Sequence, residues 1–293
     1  MATLFYYVGI VGAGKSTIAA QRMSPSSLFL DSDMLRAELL SDEGDQSNNA
    51  LIFNEMLNRS VQALNTGRDV VYVACNIWSK KRIQFLKELR RRVRPPFVAN
   101  CIVVDAPINL CRARNSARSR VVPSYVIDRQ LRQFEIPYKG EGWDDIELCR
   151  NYDEIASRNC LNDYVQRVKD FGSQKNEHHS LSLFDHNYMT GSLASMNNRF
   201  DIAEAGFKHD WGKVFTQEYW EKDNGKNAHY PNHANVGAVM AMNTGADLHT
   251  IQLINYHMLF YTDARQQESW ANRLGEQLWA DLKLLHKYDE EAH

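Results

Sequence analysis

Through the first half of the chain, short apolar runs alternate with amphipathic stretches. The runs are Leu4–Val8 (LFYYV), Ser27–Asp31 (SLFLD), Val70–Cys75 (VVYVAC) and Phe97–Asp105 (FVANCIVVD). Each is too short for a helix and carries few polar residues, the mark of strands buried on both faces. Between them, helical spacing covers Asp33–Leu40, Asn49–Leu64 and Lys80–Val93, and Pro123 opens a further helical stretch. Strand and helix in strict alternation predict an α/β unit with a parallel sheet flanked by helices. In such sheets ligands gather at the carboxyl ends of the strands, so the residues there carry the chemical interest.

The second half has a different pattern. Leu161–Asp170 reads as helix, Phe171–Glu177 as a polar linker, Asn235–Met242 as a small-residue helix, Ile251–Phe260 as an apolar helix and LLHKYDE as a last helical segment. No stretch has a convincing strand pattern, so an all-α unit is expected, with the units at 1–160 and 161–293. Phe134–Pro137 through Glu141–Ile146 reads as the last helix and loop of the first unit, packing back on its sheet. Trp211, Trp220, Trp270 and Trp279 lie in helical patterns and are expected in the core.

Composition adds limits. Of 293 residues, 44% are hydrophobic and 24% charged, ordinary for a globular protein of two domains. No 18-residue apolar run is present, and the apolar N-terminus lacks the basic leader of a signal peptide, so no membrane association is expected. Five cysteines without C-x-x-C spacing argue against a disulfide framework or a zinc knuckle and fit a reducing cytoplasm. The net charge of −2 conceals an asymmetry: residues 1–150 hold 21 Lys and Arg against 16 Asp and Glu, leaving 13 against 20 for the remainder. A basic first half suits a phosphate-rich substrate, and an acidic second half suits metal binding.

The strongest motif follows the first apolar run. Gly9-Ile10-Val11-Gly12-Ala13-Gly14-Lys15-Ser16-Thr17 has the spacing G-x-x-x-x-G-K-S between a strand and a helix. Its glycines allow backbone N–H groups to turn around phosphate oxygens, Lys15 reaches toward the β- and γ-phosphates, and Ser16 offers its hydroxyl to Mg²⁺. ATP and Mg²⁺ are the expected ligands. The second strand ends in Asp31-Ser32-Asp33, with Arg36 one turn on: a carboxylate for a hydroxyl proton and an arginine for an anionic acceptor, although either aspartate also suits a helix N-cap. Arg112, Arg114, Arg118 and Arg120 then occupy nine residues, suited to a lid over transferring phosphates.

GIVGAGKST, DSDMLR, VYVACNIWSKKR and RARNSARSRVVP together resemble the kinase domain of phage and bacterial polynucleotide 5′-kinases. The resemblance implies that Asp33 is the general base for a 5′-hydroxyl, that Arg36 grips the acceptor's 3′-phosphate, and that Arg114 and Arg118 act on the donor phosphates, with Arg120 a further candidate. It also implies RNA or DNA ends as substrates and the cytoplasm of a bacterium or a phage-infected host. One departure stands out: where the family often has an aspartate after the third strand, this chain reads Ala74-Cys75-Asn76. Asp31 is a possible replacement.

All ten histidines lie at or after His178. An imidazole followed directly by a carboxylate gives one helix end two metal ligands of different hardness, and further helices can bring other histidines to the same metals. The ordered set His186, His209-Asp210 with Gly212-Lys213 after it, His233, His257 and Asp289 resembles the HD phosphohydrolase superfamily, an all-helical metal-dependent fold. The resemblance implies a primary site of His186, His209, Asp210 and Asp289, with Asp210 bridging two metals and His233 and His257 as added ligands; Asp263 is the alternative to Asp289. Mn²⁺, Ni²⁺, Co²⁺ or Zn²⁺ would fill it, and His179 and Lys213 would contact substrate phosphate. A kinase joined to an HD module resembles the kinase-HD end-healing enzymes, in which the HD module comes first. The implied activity is 5′-phosphorylation with removal of a 3′-terminal or 2′,3′-cyclic phosphate, functionally linked to a ligase and compatible with a homo-oligomer. Two alternatives stand beside it: a nucleoside or nucleotide kinase fused to a nucleotidase, and an ATP-sensing module that regulates an HD hydrolase.

Overall fold

A computed structural model describes residues 1–175, 180–221 and 226–292, and the chain forms two compact units. The first comprises Met1–Gln130 and Pro137–Asn151; the second comprises Leu131–Ile136 and Tyr152–His293.

The first unit runs β1 (Ala2–Val8), α1 (Lys15–Arg22), β2 (Leu28–Asp31), α2 (Ser32–Leu40), α3 (Asn49–Asn65), β3 (Val70–Val73), α4 (Ser79–Arg92), β4 (Phe97–Asp105), α5 (Ile108–Ser116), α6 (Ser124–Arg132) and β5 (Asp145–Arg150). The strands form one parallel sheet in the order β2-β3-β1-β4-β5. The central strands are the apolar ones for a physical reason: β3 is buried at every position, because helices cover both faces of a parallel sheet. On one face Tyr6 stacks on its register partner Tyr72 with ring centroids 4.7 Å apart, and Phe85 and Trp143 complete the cluster.

Beneath these rings lies a fully buried ion pair. Arg82 on α4 donates from Nε and Nη2 to the two carboxylate oxygens of Glu141 at 2.7 and 2.6 Å, Trp143 Nε1 donates to the same carboxylate, and Arg82 Nη1 holds the Asn76 carbonyl at 2.9 Å. Both side chains are 0% exposed. Removing one partner from such a pair strands a charge, so Glu141→Ala is expected to destabilise the first unit by about 3–5 kcal/mol. Urea denaturation followed by tyrosine and tryptophan fluorescence measures it, and a loss under about 1 kcal/mol, the scale of an exposed pair, would contradict the assignment.

The second unit contains α7 (Glu154–Phe171), α8 (Leu183–Met196), α9 (Phe200–Lys208), the single turn α10 (Lys213–Thr216), β6 (Glu218–Tyr219), β7 (Ala228–His229), α11 (His233–Asn243), α12 (Leu248–Tyr256), α13 (Ala264–Leu274) and α14 (Glu276–Glu291). Small residues set the closest approaches. A Cβ at Gly206 would lie 2.8 Å from the backbone of Gly191, which lets α8 and α9 pack almost backbone to backbone. A Cβ at Gly212 would lie 2.0 Å from the His233 carbonyl oxygen, so this glycine seats the His209-Asp210 turn against the start of α11.

Several expectations change. Asp145–Arg150 is a strand, not the end of a helix and loop; as an edge strand it buries mainly Ile146 and Cys149, too few apolar positions to stand out. Phe134–Ile136 belongs to the helical unit, where Asn255 Oδ1 accepts from Ile136 N at 2.9 Å and Tyr256 OH donates to the Ile136 carbonyl at 2.6 Å. The chain divides after Asn151, near the boundary expected at 160, and α7 continues unbroken through that residue. The helical unit also contains the antiparallel pair β6–β7, whose two-residue strands leave no period to read. Trp220 follows β6 and stacks on His229 at 3.8 Å instead of lying in a helix.

Candidate active sites

In the first unit the motif after β1 forms a loop shaped by its glycines. Gly12 and Gly14 have φ of 81° and 95°, a region that favours residues without Cβ. A Cβ at Gly12 would meet the Cys111 carbonyl oxygen at 2.2 Å, and one at Gly14 would meet Asn151 Nδ2 at 2.1 Å. Gly9 N donates to the Cys75 carbonyl at 3.0 Å, and Val11 N to Gln130 Oε1 at 2.9 Å. Asn151 Nδ2 and Arg114 Nη1 both donate to the Ala13 carbonyl, at 2.8 and 3.3 Å, and Arg114 Nη2 donates to the Asn151 carbonyl. Lys15, 9% exposed, folds its ammonium over the loop to the Ile10 carbonyl at 2.9 Å. Thr17 is exposed on the first turn of α1. Asn151 and Gln130 were not expected from sequence: Asn151 follows the unrecognised strand β5, and Gln130 carries no motif.

The two aspartates after β2 have separate tasks. Asp31 caps α2, its Oδ1 accepting from Asp33 N at 2.8 Å and Met34 N at 3.4 Å, while its Oδ2 accepts the Ser16 hydroxyl at 2.7 Å. Asp33 makes no cap. Its Oδ1 pairs with Arg36 Nη1 at 2.8 Å, and its Oδ2 faces Arg118 Nη2 at 3.7 Å. Arg36 is buried, donates from Nη2 to Asn49 Oδ1, and has a buried Nε–H with no partner among the described residues. Of the lid arginines, Arg114 lies on the phosphate loop, Arg118 reaches toward Asp33, and Arg120 donates to the Glu43 carbonyl at 3.0 Å. Ala74, buried just after β3, supplies no carboxylate.

In the second unit four histidines and two aspartates converge. His186 comes from α8, His209 and Asp210 from the turn after α9, His233 from the first position of α11, His257 from the residue after α12, and Asp289 from the last turns of α14. His257 opens a short 3₁₀ turn, not the interior of a helix reaching Phe260. Asp263 lies elsewhere in role: its carboxylate caps α13 by accepting from Gln266 N. His179 is outside the described residues.

Each ring is fixed the same way. His186, His209, His233 and His257 place Nδ1 at 2.9, 2.9, 2.8 and 2.7 Å from the carbonyls of Ala292, Gly206, Tyr230 and Ile254. A carbonyl only accepts, so each Nδ1 carries a proton and each Nε2 turns inward, the orientation metal-binding histidines adopt. Asp210 divides them. Its Oδ2 faces His186 and His209 at 3.7 and 3.5 Å, and its Oδ1 faces His233 and His257 at 3.1 and 3.7 Å. Asp289 Oδ1 joins the first group, 2.9 Å from His186 Nε2 and 3.1 Å from His209 Nε2.

Charge in this pocket is strongly coupled. Burial alone would raise Asp210, but the Lys213 ammonium at 2.5 Å and His209 outweigh it and hold the carboxyl well below its usual range. Burial would lower His209, yet the carboxylates of Asp210 and Asp289 push it up to about 9. His257 is lowered, chiefly by burial. Lys213 also donates to the buried Gln174 Oε1 at 2.8 Å, a partner without a sequence signal.

The donor set fits divalent metal. His186, His209 and Asp210 bring ligand atoms within 4.8 Å of one another, and Asp210, His233 and His257 do the same. Most telling, His233 and His257 place their Nε2 atoms 3.1 Å apart with both Nδ1 protons already engaged, so two lone pairs oppose each other unless a cation or proton lies between. Nitrogen-rich donors around a shared carboxylate suit transition metals better than Mg²⁺ or Ca²⁺.

Residues 4–137 match a protein-family model described as an AAA domain. The parallel five-stranded sheet of the first unit, with its flanking helices, fits a P-loop kinase domain. No curated protein matches the chain. Among solved structures, one titled as a fungal RNA kinase is similar, with 12% identity over 60% of this chain and 92% of the other, at a TM-score of 0.37. No helix among the described residues is long and apolar enough to cross a membrane.

Proposed function

We propose that the chain is a bifunctional nucleic-acid end-healing enzyme, in which the P-loop unit phosphorylates 5′-hydroxyl ends with ATP and the helical unit removes a 3′-terminal or 2′,3′-cyclic phosphate. The kinase half is supported above all by the separation of Asp31 from Asp33: because Asp31 is the helix cap, the Asp33 carboxylate is left for catalysis, flanked by Arg36 and Arg118. The 5′-hydroxyl oxygen attacks the γ-phosphorus as the bond to the ADP oxygen breaks, and the hydroxyl proton passes to Asp33. The Arg36 Nε–H without a partner is the donor left for an acceptor phosphate. Lys15 swings from the Ile10 carbonyl to the transferring phosphoryl group, and Arg114 flanks it.

The hydrolase half is supported by the Asp210 carboxylate, whose two oxygens sort the four imidazoles into two sets. His186, His209, Asp210 and Asp289 would hold one metal ion and Asp210, His233 and His257 a second. Two such ions would supply a hydroxide at neutral pH and compensate the charge of phosphoryl oxygens. Lys213, whose ammonium is held by Asp210 and Gln174, then turns to the substrate phosphate.

One experiment addresses both halves. A short RNA with a 5′-hydroxyl and a 2′,3′-cyclic phosphate is incubated with ATP and Mg²⁺ or Mn²⁺, and both ends are analysed beside a free-nucleoside control. End healing requires a gain at the 5′ end and a loss at the 3′ end, leaving the termini a ligase joins. Change at the 3′ end alone would recast the P-loop unit as a regulator. Phosphorylation of the nucleoside in preference to the RNA would recast it as a small-molecule kinase.

A further inference from the structure

The loop that follows α7 brings a buried carboxamide to the edge of the histidine cluster. Its backbone is tied on both sides: Leu183 N donates to the Gly172 carbonyl at 2.9 Å, Ala228 N on β7 donates to the Lys175 carbonyl at 2.8 Å, and Ser173 bridges to Ser182. Between these ties sits Gln174, 4% exposed. The Lys213 ammonium only donates, so the Gln174 atom it meets at 2.8 Å is the oxygen Oε1, and the other end of the amide is the donor Nε2. That Nε2 is buried and has no partner among the described residues. Burying an amide N–H without an acceptor is unfavourable, which singles it out as a donor awaiting a ligand. Its neighbours indicate which ligand. Lys213 joins Gln174 to Asp210 Oδ2, the oxygen that faces His186 and His209, and its ammonium lies 5.4 Å from the centroid of the Tyr230 ring. The Tyr230 carbonyl in turn accepts from His233 Nδ1, so the same surroundings hold a ring of the other histidine group. An ammonium beside an amide N–H suits an anion with several oxygens.

We infer that Gln174 is a catalytic residue of the helical unit, donating from Nε2 to one non-bridging oxygen of the substrate's phosphoryl group while Lys213 donates to another. The inference rests on the hydrolase reading of that unit. Oε1 keeps its hold on the ammonium, so a single amide both aligns Lys213 and touches the substrate. Because the loop backbone is tied at Gly172 and Lys175, the donor is in place before the phosphate arrives.

Two substitutions separate contact with the substrate from alignment of Lys213. Gln174→Glu keeps an oxygen for the ammonium but puts a second oxygen where the N–H was, whereas Gln174→Met removes both polar atoms. Wild-type protein and the two variants are loaded with Mn²⁺. Metal content is then measured by elemental analysis, inorganic phosphate binding by calorimetry, and phosphate release from a 3′-phosphorylated RNA by steady-state kinetics. Both variants should retain the metal content of wild type, since no ligand atom is touched, and should bind phosphate at least about tenfold more weakly. Their kcat should fall by about 10²-fold or more, the scale of one lost donor to a developing anion. Unchanged phosphate affinity or unchanged kcat in Gln174→Glu overturns the inference: with a defect in Gln174→Met alone, the side chain acts only by aligning Lys213. A loss of bound metal in Gln174→Glu overturns it as well. If the wild type neither binds phosphate nor releases it from the RNA, the hydrolase reading itself fails; if it does both and Gln174→Glu matches it, the inference alone fails.

Discussion

Asp210→Ala is expected to abolish 3′-end processing while leaving 5′-phosphorylation intact. Asp210 is the only residue in the described cluster that faces both histidine groups, so its loss removes one ligand from each. Bound transition metal, measured by elemental analysis after incubation with Mn²⁺ or Ni²⁺, should fall sharply, and hydrolysis by at least about 10³-fold, the scale seen when a preorganised charge is deleted from an active site. The metal-free protein should also lose stability, because the buried Lys213 ammonium loses the carboxylate it pairs with at 2.5 Å. Asp263→Ala is the control: losing that helix cap costs about 1 kcal/mol and leaves metal content unchanged. Full hydrolase activity in Asp210→Ala, or a parallel loss in Asp263→Ala, would remove the cluster from consideration as the catalytic centre.

How much of this arrangement could be read from the chain depends on how local its causes are. The phosphate loop is local: glycine spacing, the preceding apolar strand and the following helix all lie within Leu4–Thr17, and Phe97–Asp105 forms a strand with the limits its apolar pattern predicts. The histidines are distant in sequence, yet each is placed by a helix end, and a helix end is what the His209-Asp210-Trp211-Gly212-Lys213 stretch announces. The choice between Asp289 and Asp263 was not legible in the same way, since both are single carboxylates near helices. In the fold one faces two imidazoles and the other caps a helix.

Edges and exchanges between units were the hardest to see. β5 is covered on too few positions to leave an apolar run, and missing it also hid Asn151, which reaches the Ala13 carbonyl from the end of that strand. Leu131–Ile136 joins the helical unit through hydrogen bonds to Asn255 and Tyr256, residues more than a hundred positions away, and no local pattern encodes such partners. Arg120 illustrates the same limit in a side chain. Its spacing from Arg114 and Arg118 places it on a lid, but a carbonyl at Glu43 takes its guanidinium.

Lys15→Ala should do the reverse of Asp210→Ala, removing 5′-phosphorylation and sparing 3′-end processing. The ammonium is the cation carried by the loop itself, and it reaches over that loop through a single hydrogen bond to the Ile10 carbonyl. Breaking that bond changes stability by only about 0.5–1.5 kcal/mol, so the variant should fold. Transfer, by contrast, loses a positive charge aimed at the phosphoryl oxygens where negative charge accumulates, a loss of about 10²–10³-fold in kcat or more. Asp33→Asn refines the result. If Asp33 is the base, kcat falls while nucleotide affinity holds, because the carboxamide keeps the size of the side chain and its contact with Arg36 but cannot take a proton. If the variant instead weakens nucleotide binding and leaves kcat alone, Asp33 belongs to the binding of the donor, and the proton goes to another group. Loss of both activities in Lys15→Ala, with the fold intact, would mean that the two chemistries share one site, contrary to the separate origins of the P-loop and the histidine cluster.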